Sequence, residues 1–134
     1  MMKIMAVDPG EVRIGLAVSD EAGIIARPLK VLRHRSRLED VHTILHEAEV
    51  QGAERIIVGV ALDIDGNYGP QARKGLRLAE ALQEYSSLQI ETWDESGSTQ
   101  RASRRKKKDH MLDARAAAVI LQEYLNETES QTGL

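Results

Sequence analysis

The chain has no cysteine and no phenylalanine, one tryptophan and three tyrosines among its 134 residues. The absence of cysteine excludes disulfides, thiolate catalysis and zinc–thiolate centres, and it fits a reducing compartment. So few aromatics mean that the core must be assembled from Leu, Ile, Val, Ala and Met. No apolar run approaches membrane length, and the first residues enter a strand without a charged-then-apolar leader, so a cytoplasmic protein with no membrane partner is expected. A large net charge is also missing. At −3 the chain is no general nucleic-acid coat.

The basic residues that are present are unevenly placed. Arg101, Arg104, Arg105, Lys106, Lys107 and Lys108 make one cluster of six, and Arg27, Lys30, Arg33, Arg35 and Arg37 make another of five. Together they hold eleven of the eighteen Lys and Arg residues. Such runs are either solvated faces or phosphate-contacting patches, and charge alone does not choose between them.

Hydrophobic period divides the chain. Residues 3–8 and 12–19 read as strands joined by Pro9-Gly10-Glu11, the second alternating Val12, Ile14, Leu16 and Val18 with Arg13, Gly15, Ala17 and Ser19. The small residues of the alternate face allow another element to pack closely. Residues 24–32 form a third strand in which Pro28 favours an edge or a bulge. Ser36 then caps a helix with apolar positions at Leu38, Val41, Ile44, Leu45 and Ala48, ended by Gly52. A short apolar strand at 55–60, a turn-rich loop at 63–69 and a helix opened by Pro70 follow. A fifth strand at 88–93 ends at Asp94-Glu95, and a last helix covers 110–126. Residues 1–126 are expected to form a single domain, with 127–134 a frayed tail.

This order predicts an α/β fold. An antiparallel meander of three strands leads into two crossover units, giving a mixed five-stranded sheet whose first, fourth and fifth strands are parallel and flanked by helices. Asp8 and Glu95 are then placed at the carboxyl ends of neighbouring strands, where open α/β sheets carry their sites.

Asp8 ends a buried strand, a costly position for a charge unless something pairs with it, and a cation is a common partner. Asp113 lies in Met111-Leu-Asp-Ala-Arg-Ala-Ala-Ala-Val-Ile-Leu121, with Ala116, Ala117 and Ile120 on its own helical face. Its alternative role is that of a first-turn acid facing the helix dipole or an acid paired with a nearby Arg. Glu95 completes the trio, with Asp94 expected to point away or to hold the turn. Asp109 and Arg13 are candidates to support these carboxylates. His34, His42 and His46 are expected at the surface. Carboxylates without Cys or clustered His select Mg²⁺ or Mn²⁺ over zinc, and a two-metal site suits phosphodiester hydrolysis. Arg101 and residues 104–108, lying between Glu95 and Asp113, would hold a nucleic-acid backbone at the rim.

Four segments resemble the YqgF/RuvX family, Holliday-junction-resolvase-like proteins also described as nucleases of the small-subunit rRNA precursor. They are Asp8-Pro-Gly-Glu-Val-Arg-Ile-Gly-Leu-Ala-Val-Ser-Asp20; Ile57-Val-Gly59 with Asp65-Gly66 and Gly69-Pro-Gln-Ala72; Trp93-Asp-Glu-Ser-Gly-Ser-Thr99; and Arg104-Arg-Lys with Asp113 before Ala116-Ala-Ala-Val-Ile-Leu-Gln-Glu-Tyr-Leu125. The resemblance implies a ribonuclease H-like fold and an acidic triad of Asp8, Glu95 and Asp113. It also implies a metal-dependent endonuclease acting in pre-16S rRNA 5′-end maturation, with RNA favoured over DNA and association with ribosomal precursors. The chain departs from the family pattern at Ser96-Gly-Ser-Thr99, where Arg-Leu-Ser/Thr-Thr is usual, at Ala61, where Pro is typical, and in a short stretch before Asp113. The competing readings are a Holliday-junction resolvase, which requires a dimer, and a nucleic-acid- or ribosome-binding module without catalysis. A third takes Asp8 to Gly15 as the phosphate loop of an actin-like ATPase, and the single-domain length argues against it.

Overall fold

The computed structural model describes residues 2–96 and 110–131. Among the described residues the elements run in the order β1 (Ile4–Pro9), β2 (Arg13–Ser19), β3 (Ala26–Arg33), α1 (Arg37–Gln51), β4 (Arg55–Leu62), α2 (Pro70–Glu84), β5 (Gln89–Ser96) and α3 (Leu112–Gln131). The strands form one sheet in the order β3-β2-β1-β4-β5, with β1-β2 and β2-β3 antiparallel and β1-β4 and β4-β5 parallel. The expected mixed sheet is therefore present. One expectation needs correction: β4 lies between β1 and β5, so Asp8 and Glu95 are on next-but-one strands.

Alternation along each strand sorts the side chains into two cores. Met5, Val7, Ile14, Leu16, Ile56, Val58 and Ile90 face α1 and α2, where they meet Val41, Ile44, Leu78 and Leu82. Ile4, Ala6, Ala17 and Ile57 face α3, meeting Ala117, Leu121, Tyr124 and Leu125. β1 is buried along its whole length because helices cover both of its faces. Among the described residues no helix is long and apolar enough to cross a membrane.

Local chemistry explains the boundaries. Ser36 Oγ accepts from the Glu39 N–H at the start of α1, and Pro70 stands in the first turn of α2. β3 starts two residues later than its apolar run suggests. Asp20 Oδ1 accepts the N–H groups of Ile24 (2.7 Å) and Ile25 (3.2 Å) and holds both residues in the turn. Pro28 sits on an edge strand beside a register shift at Leu16/Ala17, so both of its expected settings apply. α3 continues to Gln131, five residues into the segment expected to fray, with Thr128 Oγ1 donating to the Tyr124 carbonyl (2.8 Å).

β5 is also longer than expected. Because β4 runs on to Leu62, it pairs Ala61 with Glu95 and Leu62 with Ser96. Glu95 is thus a strand residue, not a turn residue, and the pleat decides which way it faces.

Candidate active site

Asp8 is the penultimate residue of β1 and is only 6% exposed. It shares parity with Ile4 and Ala6, so its carboxylate is on the α3 face of the sheet. The backbone beside it is left bare by two glycines. Gly15 is its register partner on β2. At Gly59 of β4, a β-carbon would stand 3.9 Å from Asp8 Oδ1 and 2.9 Å from Ile120 Cδ1. The carboxylate therefore lies against the glycine backbone of the central strands, beneath α3.

Gly15 also seats the helix. A β-carbon there would stand 1.9 Å from the Asp113 carbonyl oxygen and 2.9 Å from the Ala114 nitrogen, so the first turn of α3 rests directly on β2. Since Gly15 is opposite Asp8, this contact brings Asp113 to the end of β1 that carries Asp8. Ala114, Ala116, Ala117 and Ile120 are buried and hold the inward face of α3 down. Asp113 is half-buried in the first turn, where the positive end of the helix dipole favours a carboxylate.

Glu95 joins them by parity. Trp93 packs into the α3-side core, and Glu91 Oε2 accepts the Tyr124 hydroxyl of α3 (2.5 Å). Glu95, two further along, is on the same face and is half-buried. Asp94 points to the other face, where it accepts the Tyr68 hydroxyl. That bond raises the Tyr68 phenol above its ordinary value of 10.0, because ionisation would place a second negative charge beside Asp94. The triad thus shares one sheet face and one end. Glu95 remains two strand spacings from Asp8, on the order of 10 Å between backbones. Among the described residues no three His, Cys, Asp or Glu side chains form a group able to hold a metal ion.

A sequence model of the RuvX family, described as a Holliday junction resolvase, matches residues 2–127. The chain belongs to the RuvX family. Two curated relatives named "Putative pre-16S rRNA nuclease" align over nearly all of it. That of Symbiobacterium thermophilum is 39% identical over 133 residues, 93% of this chain and 92% of the relative. That of Halothermothrix orenii is 37% identical over 133 residues, covering 93% and 95%. Among solved structures, Thermus thermophilus RuvC in complex with a Holliday junction superposes with a TM-score of 0.60 at 16% identity, covering 97% of each chain. The fowlpox virus Holliday junction resolvase gives 0.54 at 13% identity, covering 94% and 99%. The likeness establishes the ribonuclease H-like fold.

In this RuvX-family chain the remaining candidates divide. Arg13 is exposed at the start of β2, and its carbonyl accepts the Gly10 N–H (2.9 Å). Arg101, Arg104, Arg105, Lys106, Lys107, Lys108 and Asp109 lie outside the described residues. His42 and His46 are exposed as expected, while His34 is half-buried, its Nδ1 2.5 Å from Oδ2 of buried Asp40. Sequence reasoning missed the residues that hold the loop after Asp8. Gln71 Nε2 donates to the Pro9 carbonyl (2.8 Å) and Lys74 Nζ to that of Gly10 (3.0 Å), so α2 fixes the β1–β2 turn. The loop at 63–69 also has a legible job. Asp63 Oδ1 accepts the N–H groups of Asp65 (2.9 Å) and Asn67 (2.8 Å), shaping a turn that delivers Tyr68 to Asp94. The signal was Gly69-Pro70-Gln71, a helix start whose next polar residue faces the Asp8 turn.

Proposed function

We propose that this RuvX-family protein is a metal-dependent endonuclease that hydrolyses phosphodiester bonds in structured RNA, with 5′-end maturation of pre-16S rRNA as its task. The observation that carries this reading is the placement of Asp8, Glu95 and Asp113 on one face and at one end of the sheet. The names of the curated relatives support the substrate class.

The donor set fits a hard divalent cation, since it offers only carboxylate oxygen and no sulfur or imidazole. Asp8, Asp113 and Glu95 would hold Mg²⁺ or Mn²⁺, which when bound supplies activation of a water and stabilisation of the leaving oxygen. Asp8, backed by the rigid central strands, fixes the position of the site. Asp113 is carried by a helix seated on Gly15. Glu95 approaches from β5 with the longest side chain of the three. Basic residues 101 and 104–108, between Glu95 and Asp113 in sequence, bind the substrate backbone.

Cleavage of pre-16S rRNA and of a four-way DNA junction, with Mg²⁺, with Mn²⁺ and with chelator, tests the reading. The wild type should cut the RNA only with metal, and Asp8→Asn and Asp113→Asn should both be inactive. Cleavage that persists in both variants excludes the triad. Preferential, paired cutting of the junction would favour the resolvase reading, which the family description supports.

A further inference from the structure

Behind the Asp8 turn, on the face opposite α3, a cleft of about 280 Å³ opens between the turn, the start of α1 and the middle of α2. Pro9 and Gly10 form one wall, so the cleft begins one residue beyond Asp8. Arg37, Lys74 and Arg77 line it, from two helices far apart in sequence.

None of these three side chains is taken up in an ion pair of the described residues. Lys74 Nζ meets only the neutral carbonyl of Gly10. By contrast Lys30, from the same basic stretch as Arg37, is paired with Glu47 at 2.7 Å. The one acid in the wall, Asp40, is 5% exposed and engaged by the Arg35 N–H (3.1 Å) and by His34. The amino-terminal turn of α1 also lines the cleft at Ser36 and Arg37, its dipole already met by Glu39 and Asp40 in the same turn. Three cations lining one cleft, none of them in an ion pair of the described residues, repel one another, an arrangement that a bound anion relieves.

We propose that this cleft is a phosphodiester-binding subsite. It holds a backbone phosphate of the nucleic-acid substrate a few nucleotides from the one placed at Asp8, across the Pro9-Gly10 turn. This inference rests on the nuclease reading of the Asp8 face. The groove that continues between α1 and α2 shares Arg37 and Arg77 and adds Glu80 and Glu84, whose charge ends the phosphate track there.

Binding of the full chain to a fluorescent single-stranded RNA, and to DNA of the same sequence, is measured by anisotropy against salt, with chelator present so that no cleavage is required. Arg37→Ala/Arg77→Ala should weaken binding several-fold and flatten log K against log salt by about 0.7, the slope of one single-strand phosphate that is no longer neutralised. Lys replacements at both positions should restore the slope, and Arg27→Ala, at an exposed position of β3, should not change it. A double alanine variant with wild-type affinity and slope overturns the proposal. Equal effects on RNA and DNA show that the cleft reads phosphate alone, and an RNA-only effect shows that it also contacts the sugar. If the double variant loses binding while the wild type cleaves neither RNA nor DNA with either metal, the subsite stands and the nuclease reading falls. If Asp8→Asn abolishes cleavage while the double variant binds normally, the reverse holds.

Discussion

Gly15 lies directly beneath the main chain of Asp113: a β-carbon on the glycine would stand 1.9 Å from the Asp113 carbonyl oxygen. Side chains can rotate away from such an overlap, but helix backbone cannot. Gly15→Ala should therefore lift the first turn of α3, destabilise the protein by about 1–3 kcal/mol and lower activity by more than the stability change accounts for. Urea unfolding and cleavage rate, measured on the same preparation, check this. Wild-type activity in Gly15→Ala would show that the seat of Asp113 is not critical.

Metal binding should be visible without turnover. Because Asp8, Glu95 and Asp113 do not form a closed cluster in the described residues, a cation that draws them together stabilises the folded state by linkage. Mn²⁺ should raise the wild-type Tm, and the rise should vanish in Asp8→Asn. Equal rises in both proteins would place the ion elsewhere.

Tyr68 and Asp94 hold the end of β5 from the face opposite Glu95. Tyr68→Phe should change stability little, since the bond is exposed. The cleavage rate should nevertheless fall, because the strand end carrying Glu95 loses a tether. An unchanged rate would limit the loop at 63–69 to shaping α2.

The β2–β3 turn should be acid-sensitive. The N–H of Ile24, and then that of Ile25, hold the Asp20 carboxyl below its ordinary value of 3.8. A depressed value in the folded state contributes stability above the unfolded pKa, and this is lost as pH falls through the folded one. Asp20→Asn should make the decline of Tm between about pH 5 and pH 2 shallower. An unchanged slope would show that the turn survives protonation.

At the other end of the pH scale, burial first and then the hydrogen bond to Glu91 push the Tyr124 phenol above 10.0, while Arg55, donating to the same oxygen at 2.7 Å, partly opposes them. A raised value contributes stability below the unfolded pKa that is lost as pH rises through the folded one. Tyr124→Phe should cost about 1–2 kcal/mol at neutral pH and reduce the alkaline loss. The Trp93 ring, edge-on at 5.7 Å, should keep its packing. A phenylalanine variant as stable as wild type would show that the Arg55–Tyr124–Glu91 chain contributes nothing net.

The amino-acid sequence by itself determined which residues can act and most of the scaffold. Local rules sufficed for this: the period-two run at 12–19, the cap at Ser36, the proline at the start of α2 and an all-oxygen donor set with no cysteine. What it did not carry was distance between segments. Only the tertiary structure decided that β4 separates β1 from β5 and that the pairing of Ala61 with Glu95 turns that carboxylate toward α3. It alone decided that Gly15 is where Asp113 lands, and that Arg37, Lys74 and Arg77 meet behind the Asp8 turn. Strand order, register and helix seating are contacts between residues far apart in the chain. They are settled by how small side chains let backbones approach, a property of pairs that no single stretch of sequence displays.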